Sequence, residues 1–418
     1  MQNRLFPRAT GFAPLMSALT SRLRGAKAMA PEFTGAPSAQ PDLYLSIAVQ
    51  DETADDSACR TAQARGQFLA RQERWQDLAR EIRDADEARS TTPGGMPLAE
   101  LLAYGARSDV ILAVEHALSD GRNANTAPIT DGIKALEAMH SDTADNPMTA
   151  LIVALAHIDI AWAWRGTVND KRTCIRFSAH LDRAIDLLTP YDAVDLDSPA
   201  LAAAQCALLT RGHIPTDRAV AQFEALIDLA PQNYRHMRAF GVHVLRSSGA
   251  LTGQNLDLQA RRIAARTRDI WGLGGYAWVN MDAIAISDQA CAQIDTEFFI
   301  DAIRDIAALY PQQQMINLLA AWCSVALPRN QGRCETSRRR IAGCADWLIR
   351  DHLTEIHPLI WAHAAAGFDN SLRVTSPATF AARGRAVALR VIADQFRDDI
   401  DAGHRIAFTP HGPVSIPV

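Results

Sequence analysis

The sequence predicts an all-α protein: antiparallel helix pairs stacked into an α–α superhelix, followed by an extended C-terminal tail. Three observations predict it. From Asp51 onward, apolar residues recur at the three-and-four spacing of an α-helix. Breaks rich in Gly and Pro divide the chain into short helical segments. The alternating strands that an α/β fold requires are missing, and Leu43 to Val49 (LYLSIAV) is the one short strand candidate before the tail.

The bulk numbers fit this class. At roughly 100–200 residues per domain, a chain of 418 residues makes two or three compact domains or one elongated array. The hydrophobic fraction of 48% and charged fraction of 21% suit a sizeable buried core and argue against wholesale disorder. A net charge of -5 lacks the basic excess of a dedicated nucleic-acid binder, so no nucleic acid is expected as a partner. The 7 Cys are odd in number and form no CxxC pair. Most sit in apolar helical stretches, as Cys206 and Cys323 do, which points to reduced core thiols and a cytoplasmic protein. Cys334 and Cys344 lie near Arg-rich sequence, a setting that lowers a thiol pKa, yet core packing is the expectation for them too. The most apolar segment, Met148 to Trp164, is interrupted by His157 and Asp159, and no membrane span is expected.

In chain order, residues 1–42 read as an amphipathic helix and a linker. Arg4, Arg8, Arg22, Arg24 and Lys27 face only Glu32 around the apolar patch Phe12 to Leu19, a faint resemblance to a targeting peptide. Pro14 breaks the patch and the layout of a signal peptide is lacking, so the amphipathic helix is the expectation. Residues 28–42 carry the Pro, Ala and Gly of a linker. Residues 43–120 form an N-terminal helical region, in which Trp75, Leu78, Ala79 and Ile82 share one face. TTPGG at 91–95 stops that helix, and Pro97 starts the next. A polar loop at 120–126 precedes the main array, 128–402. Its helices are expected near 129–140, 147–166, 172–188, 198–212, 216–230, 232–247, 254–270, 275–286, 294–309, 312–326, 336–352, 354–366 and 376–401. The tail, 403–418, alternates apolar and polar residues and holds Pro410, Pro413 and Pro417, so it reads as extended.

Within the array, Ala219, Phe223 and Pro231 stand where the tetratricopeptide repeat has a small residue, an aromatic residue and a terminal proline in its second helix. Ala203, Cys206 and Ala207 supply small residues to the preceding helix. Gly241, with Phe240 beside it, continues the period, and Trp75, Leu78 and Ala79 match its first-helix pattern. The chain therefore resembles a tetratricopeptide-like helical repeat protein over one full unit and two partial ones. The resemblance implies a superhelix with a concave face for peptides or protein segments, and it supplies no catalytic residues.

Several constellations bear on chemistry. His157 and Asp159 are two residues apart on a helix and point about 200° from each other, so they do not chelate one ion together. Each is expected to hydrogen-bond a neighbouring helix. No HExxH or comparable ligand spacing appears, and no metal or other cofactor is expected. His236 and His243 share a face, and His357 and His363 do so loosely; both pairs read as core or surface histidines. Trp271 to Ala277 (WGLGGYA) matches G-x-G-x-x-A, but the charged helix end before it is not the strand a dinucleotide site needs. It reads as helix, tight Gly turn, helix. Asp398, Asp399 and Asp401 lack the DDxxD spacing and read as a solvated helix end.

Charge distribution gives the functional hint. Arg235, Arg238, Arg246, Arg261, Arg262, Arg266 and Arg268 are opposed within their stretch by Asp257 alone, and Arg329, Arg333, Arg338, Arg339 and Arg340 by Glu335. Guanidinium forks suit carboxylates and phosphates. The clusters either line one groove or form a solvated basic face matched by acids of neighbouring helices. The expectation is a non-catalytic scaffold or adaptor for an acidic or extended protein or peptide partner. Its candidate binding residues are Arg235, Arg238, Arg261, Arg262, Arg266, Trp271, Tyr276 and Trp278. The alternative is an all-α enzyme with a metal or small-molecule site between helices, for which His157, Asp159, His180, Asp398 and Asp399 are the candidates.

Overall fold

Each amphipathic stripe becomes a helix because burying its apolar face offsets the cost of ordering the chain. A computed structural model describes residues 44–121, 126–143, 146–165, 171–209, 216–247, 252–328, 335–367, 376–410 and 412–417. The expected first helix and linker, Cys334, Arg329 and Arg333 lie outside them. The chain divides into two compact units, one spanning Ala54–His236, the other containing the segment that ends at Thr53 and Met237–Val418.

Among the described residues, the named elements of the first unit are all helices. This unit holds α1 (Ala54–Arg71), α2 (Trp75–Glu87), α3 (Leu98–Ser119), α4 (Ala127–Asp142), α5 (Pro147–Arg165), α6 (Lys171–Leu188), α7 (Pro199–Leu208) and α8 (Thr216–Leu229). The first turn of α9 (Tyr234–Ser247) also belongs to it. Trp75 opens α2, whose Leu78, Ala79 and Ile82 are buried as their spacing predicts. The TTPGG stop is a built turn: Asp55 accepts from the Thr92 hydroxyl and from the Gly94 N–H at 2.7 Å, and Gly95 takes a φ of 79°. Helix α5 is apolar almost all round and accordingly central, packing on α2, α3, α4, α6 and α7. It is long and apolar enough to cross a membrane, but 78% of its apolar window is buried within the protein. Helices α7 and α8, which carry the repeat-like residues, pack on each other with Ala203, Cys206, Ala207, Ala219 and Phe223 buried. Asp86 at the end of α2 accepts from the Ser198 hydroxyl and the Ala200 N–H, anchoring the start of α7.

The second unit holds the rest of α9, α10 (Thr252–Arg266), α11 (Arg268–Trp271), α12 (Gly274–Ile286), α13 (Asp288–Gln293) and α14 (Thr296–Leu309). There follow α15 (Gln313–Ala321), α16 (Glu335–Ala342), α17 (Cys344–Trp347), α18 (Pro358–Ala366), α19 (Pro377–Gln395) and α20 (Arg397–Asp401). π-Helical turns, Trp322–Ala326 and Leu348–His352, extend α15 and α17. Several expected single helices are split: 254–270 breaks at Thr267, 336–352 at Gly343 and 376–401 at Phe396. Helix α13, capped by Ser287 as Asp295 caps α14, is a further helix between two expected ones. The expected helix 354–366 starts only at Pro358, because β3 (Glu355–Ile356) takes its first residues.

The N-terminal strand candidate forms β1 (Leu45–Ser46) and β2 (Ala48–Val49). Strand β2 pairs parallel with β3, Ala48 opposite Glu355. Strand β1 pairs parallel with β4 (His404–Thr409), Leu45 opposite Ile406. The tail is extended but does not lie alone: β4 turns at Gly412, φ 109°, into antiparallel β5 (Gly412–Pro417), giving the order β1-β4-β5. Pro413 and Pro417 are tolerated because β5 is the edge strand.

Candidate functional site

The eight expected binding residues separate into two groups. Arg235 is buried, and its Nη1 donates to the Gly95 carbonyl at 3.1 Å. Arg238 is buried and bidentate on Asp282, at 3.0 and 2.7 Å. Trp271, Tyr276 and Trp278 are core side chains. Trp271 stacks on Tyr310 with centroids 4.3 Å apart and meets Trp278 edge-on at 5.7 Å. The Tyr276 hydroxyl donates to Asp257 at 2.6 Å, and burial together with that bond holds the phenol protonated. These five therefore stabilise the interior instead of lining an open groove. The reason lies in the WGLGGYA turn. At Gly272, φ 59°, a Cβ would fall 2.4 Å from Asp305 Oδ2, and at Gly275 it would fall 3.0 Å from Ala264 Cα. Without side chains there, the turn lets α12 close against α10 and draws its aromatics inward.

Arg261, Arg262 and Arg266 are exposed on α10, and Arg268 is exposed at the start of α11. Arg261 pairs with Asp257 at 2.9 Å and Asp295 at 2.8 Å, and its guanidinium lies 4.7 Å from the Phe298 ring centroid. In the second basic cluster, Arg338 is buried and donates to Asp288 at 3.0 Å, and Arg340 pairs with Glu297. Acids of neighbouring helices thus match those charges.

The rival candidates yield a tighter constellation. His157 on α5 and His180 on α6 meet Nδ1 to Nδ1 at 2.8 Å. His157 Nε2 lies 3.2 Å from Glu137 Oε1 on α4, and Arg183 Nε donates to the same oxygen at 2.8 Å. Burial depresses His157, and it pushes His180 down to about 4, helped by the neighbouring His157 and Arg176. Burial alone would raise Glu137; the Arg183 hydrogen bond and the His157 contact outweigh it and hold the carboxyl below its ordinary value. Asp159 points away from this group and accepts from the buried Arg107 Nε at 2.8 Å. On α5, His157 therefore bonds α4 and α6 while Asp159 bonds α3, as their spacing requires. Asp398 and Asp399 belong to the other unit and join none of these groups. His357 is held between Gln314 and Glu355, at 2.9 Å from each. Among the described residues, no three His, Cys, Asp or Glu are arranged to hold a metal.

Glu137 and Arg183 escaped sequence reasoning because 20 and 46 positions separate them from their partners. The available signal was the spacing of Arg176, His180 and Arg183, which puts all three on one face of α6. No protein-family profile, no curated protein and no solved structure matches the chain.

Proposed function

We propose that this chain is a helical-repeat scaffold that binds an acidic protein segment, with no catalysis at the binding surface. The observation that carries the reading is the exposure of Arg261, Arg262, Arg266 and Arg268 along α10 and the start of α11. Guanidinium forks recognise carboxylates bidentately, and a run of them steers an acidic segment at long range. Stacked helix pairs of the tetratricopeptide type would present such a stripe to an extended peptide. The binding surface is this exterior stripe, while Trp271, Tyr276, Trp278 and Arg238 hold the core of the unit that displays it, and Arg235 serves the interior of the other unit.

The test is charge reversal. The Arg262→Glu/Arg266→Glu/Arg268→Glu protein should bind its co-purifying acidic partner about tenfold more weakly or worse. The wild-type complex should dissociate as salt rises. Titration of purified partner by calorimetry at two salt concentrations measures both effects. Equal affinity of the two proteins would remove the stripe from the binding surface.

A further inference from the structure

The protons of the His157–His180 contact can be counted from the hydrogen bonds alone. Glu137 is held as a carboxylate by Arg183, so it accepts, and His157 Nε2 must carry the hydrogen directed at it. A neutral His157 then has a bare Nδ1. The Nδ1–Nδ1 contact of 2.8 Å needs a donor, which is His180 Nδ1–H. The remaining nitrogen, His180 Nε2, is left with its lone pair. It makes no hydrogen bond with the described residues and is not among the sealed polar atoms of the interior. Arg176 lies one turn before His180 and Arg183 one turn after it on the same helix. Arg176 is steadied 4.9 Å from the Trp164 ring centroid.

We propose that His180 Nε2 is an acid–base centre for a small phosphate- or carboxylate-bearing molecule. Glu137 and His157 position it, and Arg176 and Arg183 favour the anion. The transfer balances without any co-reactant. An O–H of the ligand breaks as an N–H forms at His180 Nε2. The Nδ1 proton of His180 passes to His157 Nδ1, making an imidazolium whose charge faces Glu137. Reversal returns one proton to the ligand. The charged groups acting on the pair are Glu137 on α4 with Arg176 and Arg183 on α6; α7, also packed on α6, offers only the buried Cys206 thiol. The inference is independent of the arginine stripe, which lies in the other unit.

Nitrogen-15 imidazole NMR of the full chain tests it, with signals assigned from His180→Gln and His157→Gln. Near pH 7, His180 should appear with its proton on Nδ1 and His157 with its proton on Nε2. Inorganic phosphate or acetate should shift the His180 Nε2 signal and raise the titration midpoint of the pair by about one pH unit. Arg176→Gln should weaken that response about tenfold. Glu137→Gln keeps an acceptor oxygen but removes the charge, and should lower the midpoint by about one pH unit. An unmoved midpoint in Glu137→Gln would show that its charge does not act on the pair. A proton on His180 Nε2 in the wild-type protein overturns the proposal without recourse to any variant. So does a His180 signal indifferent to both anions.

Discussion

The burial of Arg238 decides its role. A guanidinium taken out of water costs several kcal/mol unless a carboxylate meets it, and Asp282 does so with both oxygens. Removing one partner is then worse than removing both. Asp282→Ala should lower unfolding free energy by about 3 kcal/mol, whereas Arg238→Met with Asp282→Leu should be near neutral. Urea denaturation of the single and double variants measures the difference, and equal losses would show that the pair is not coupled. The partner was not legible in the sequence because it sits 44 positions away. The Arg261–Asp257 pair, by contrast, follows from i,i+4 spacing on one helix. A run of arginines therefore shows where charge is concentrated, and burial by distant helices decides which of them remain on the surface.

At the scale of elements, the helices were legible wherever one apolar stripe faced one neighbour. What escaped were breaks set by tertiary partners. The residues of β3 read as a helix start until β2 claims them, and Thr267 ends α10 where the following turn must fold back. Close helix crossings also left only a faint trace. Gly66 on α1 and Gly105 on α3 lie where the two backbones nearly touch: a Cβ on Gly66 would fall 2.1 Å from the Leu102 carbonyl oxygen, and one on Gly105 would fall 2.0 Å from that of Gln63. In an open helix Gly→Ala stabilises by up to about 1 kcal/mol. Here the methyl group meets backbone that cannot rotate away, so Gly105→Ala should destabilise by about 1–3 kcal/mol. Thermal unfolding distinguishes the signs, and a gain in stability would mean that α1 and α3 separate at little cost.

For the whole molecule, the sequence order hides the assembly. Strand β1 closes on β4 across more than three hundred residues, a pairing that no local pattern encodes. Both units nevertheless share one acid-sensitive feature, histidines held neutral by burial. His236 is pushed down to about 3 by burial and the adjacent Arg235, and its Nε2 faces the Asn233 amide donor at 2.9 Å. His243 is pushed down to about 4 by burial and Arg246, and His180 to about 4 by burial with His157 and Arg176 beside it. In the unfolded chain these rings titrate at their ordinary value of 6.5. Below that pH the unfolded state binds more protons than the folded one, so stability falls as pH falls. The loss should begin near pH 6.5 and flatten only near pH 3–4, where the folded rings also protonate. The ordinary carboxylate range lies at the lower end of that window, so the stretch between pH 6.5 and 5 isolates the histidines. Thermal unfolding across that stretch should show a falling Tm, with a smaller slope in His236→Asn than in the wild-type protein. A flat profile between pH 6.5 and 5 would mean that these rings protonate as readily in the folded chain as in the unfolded one.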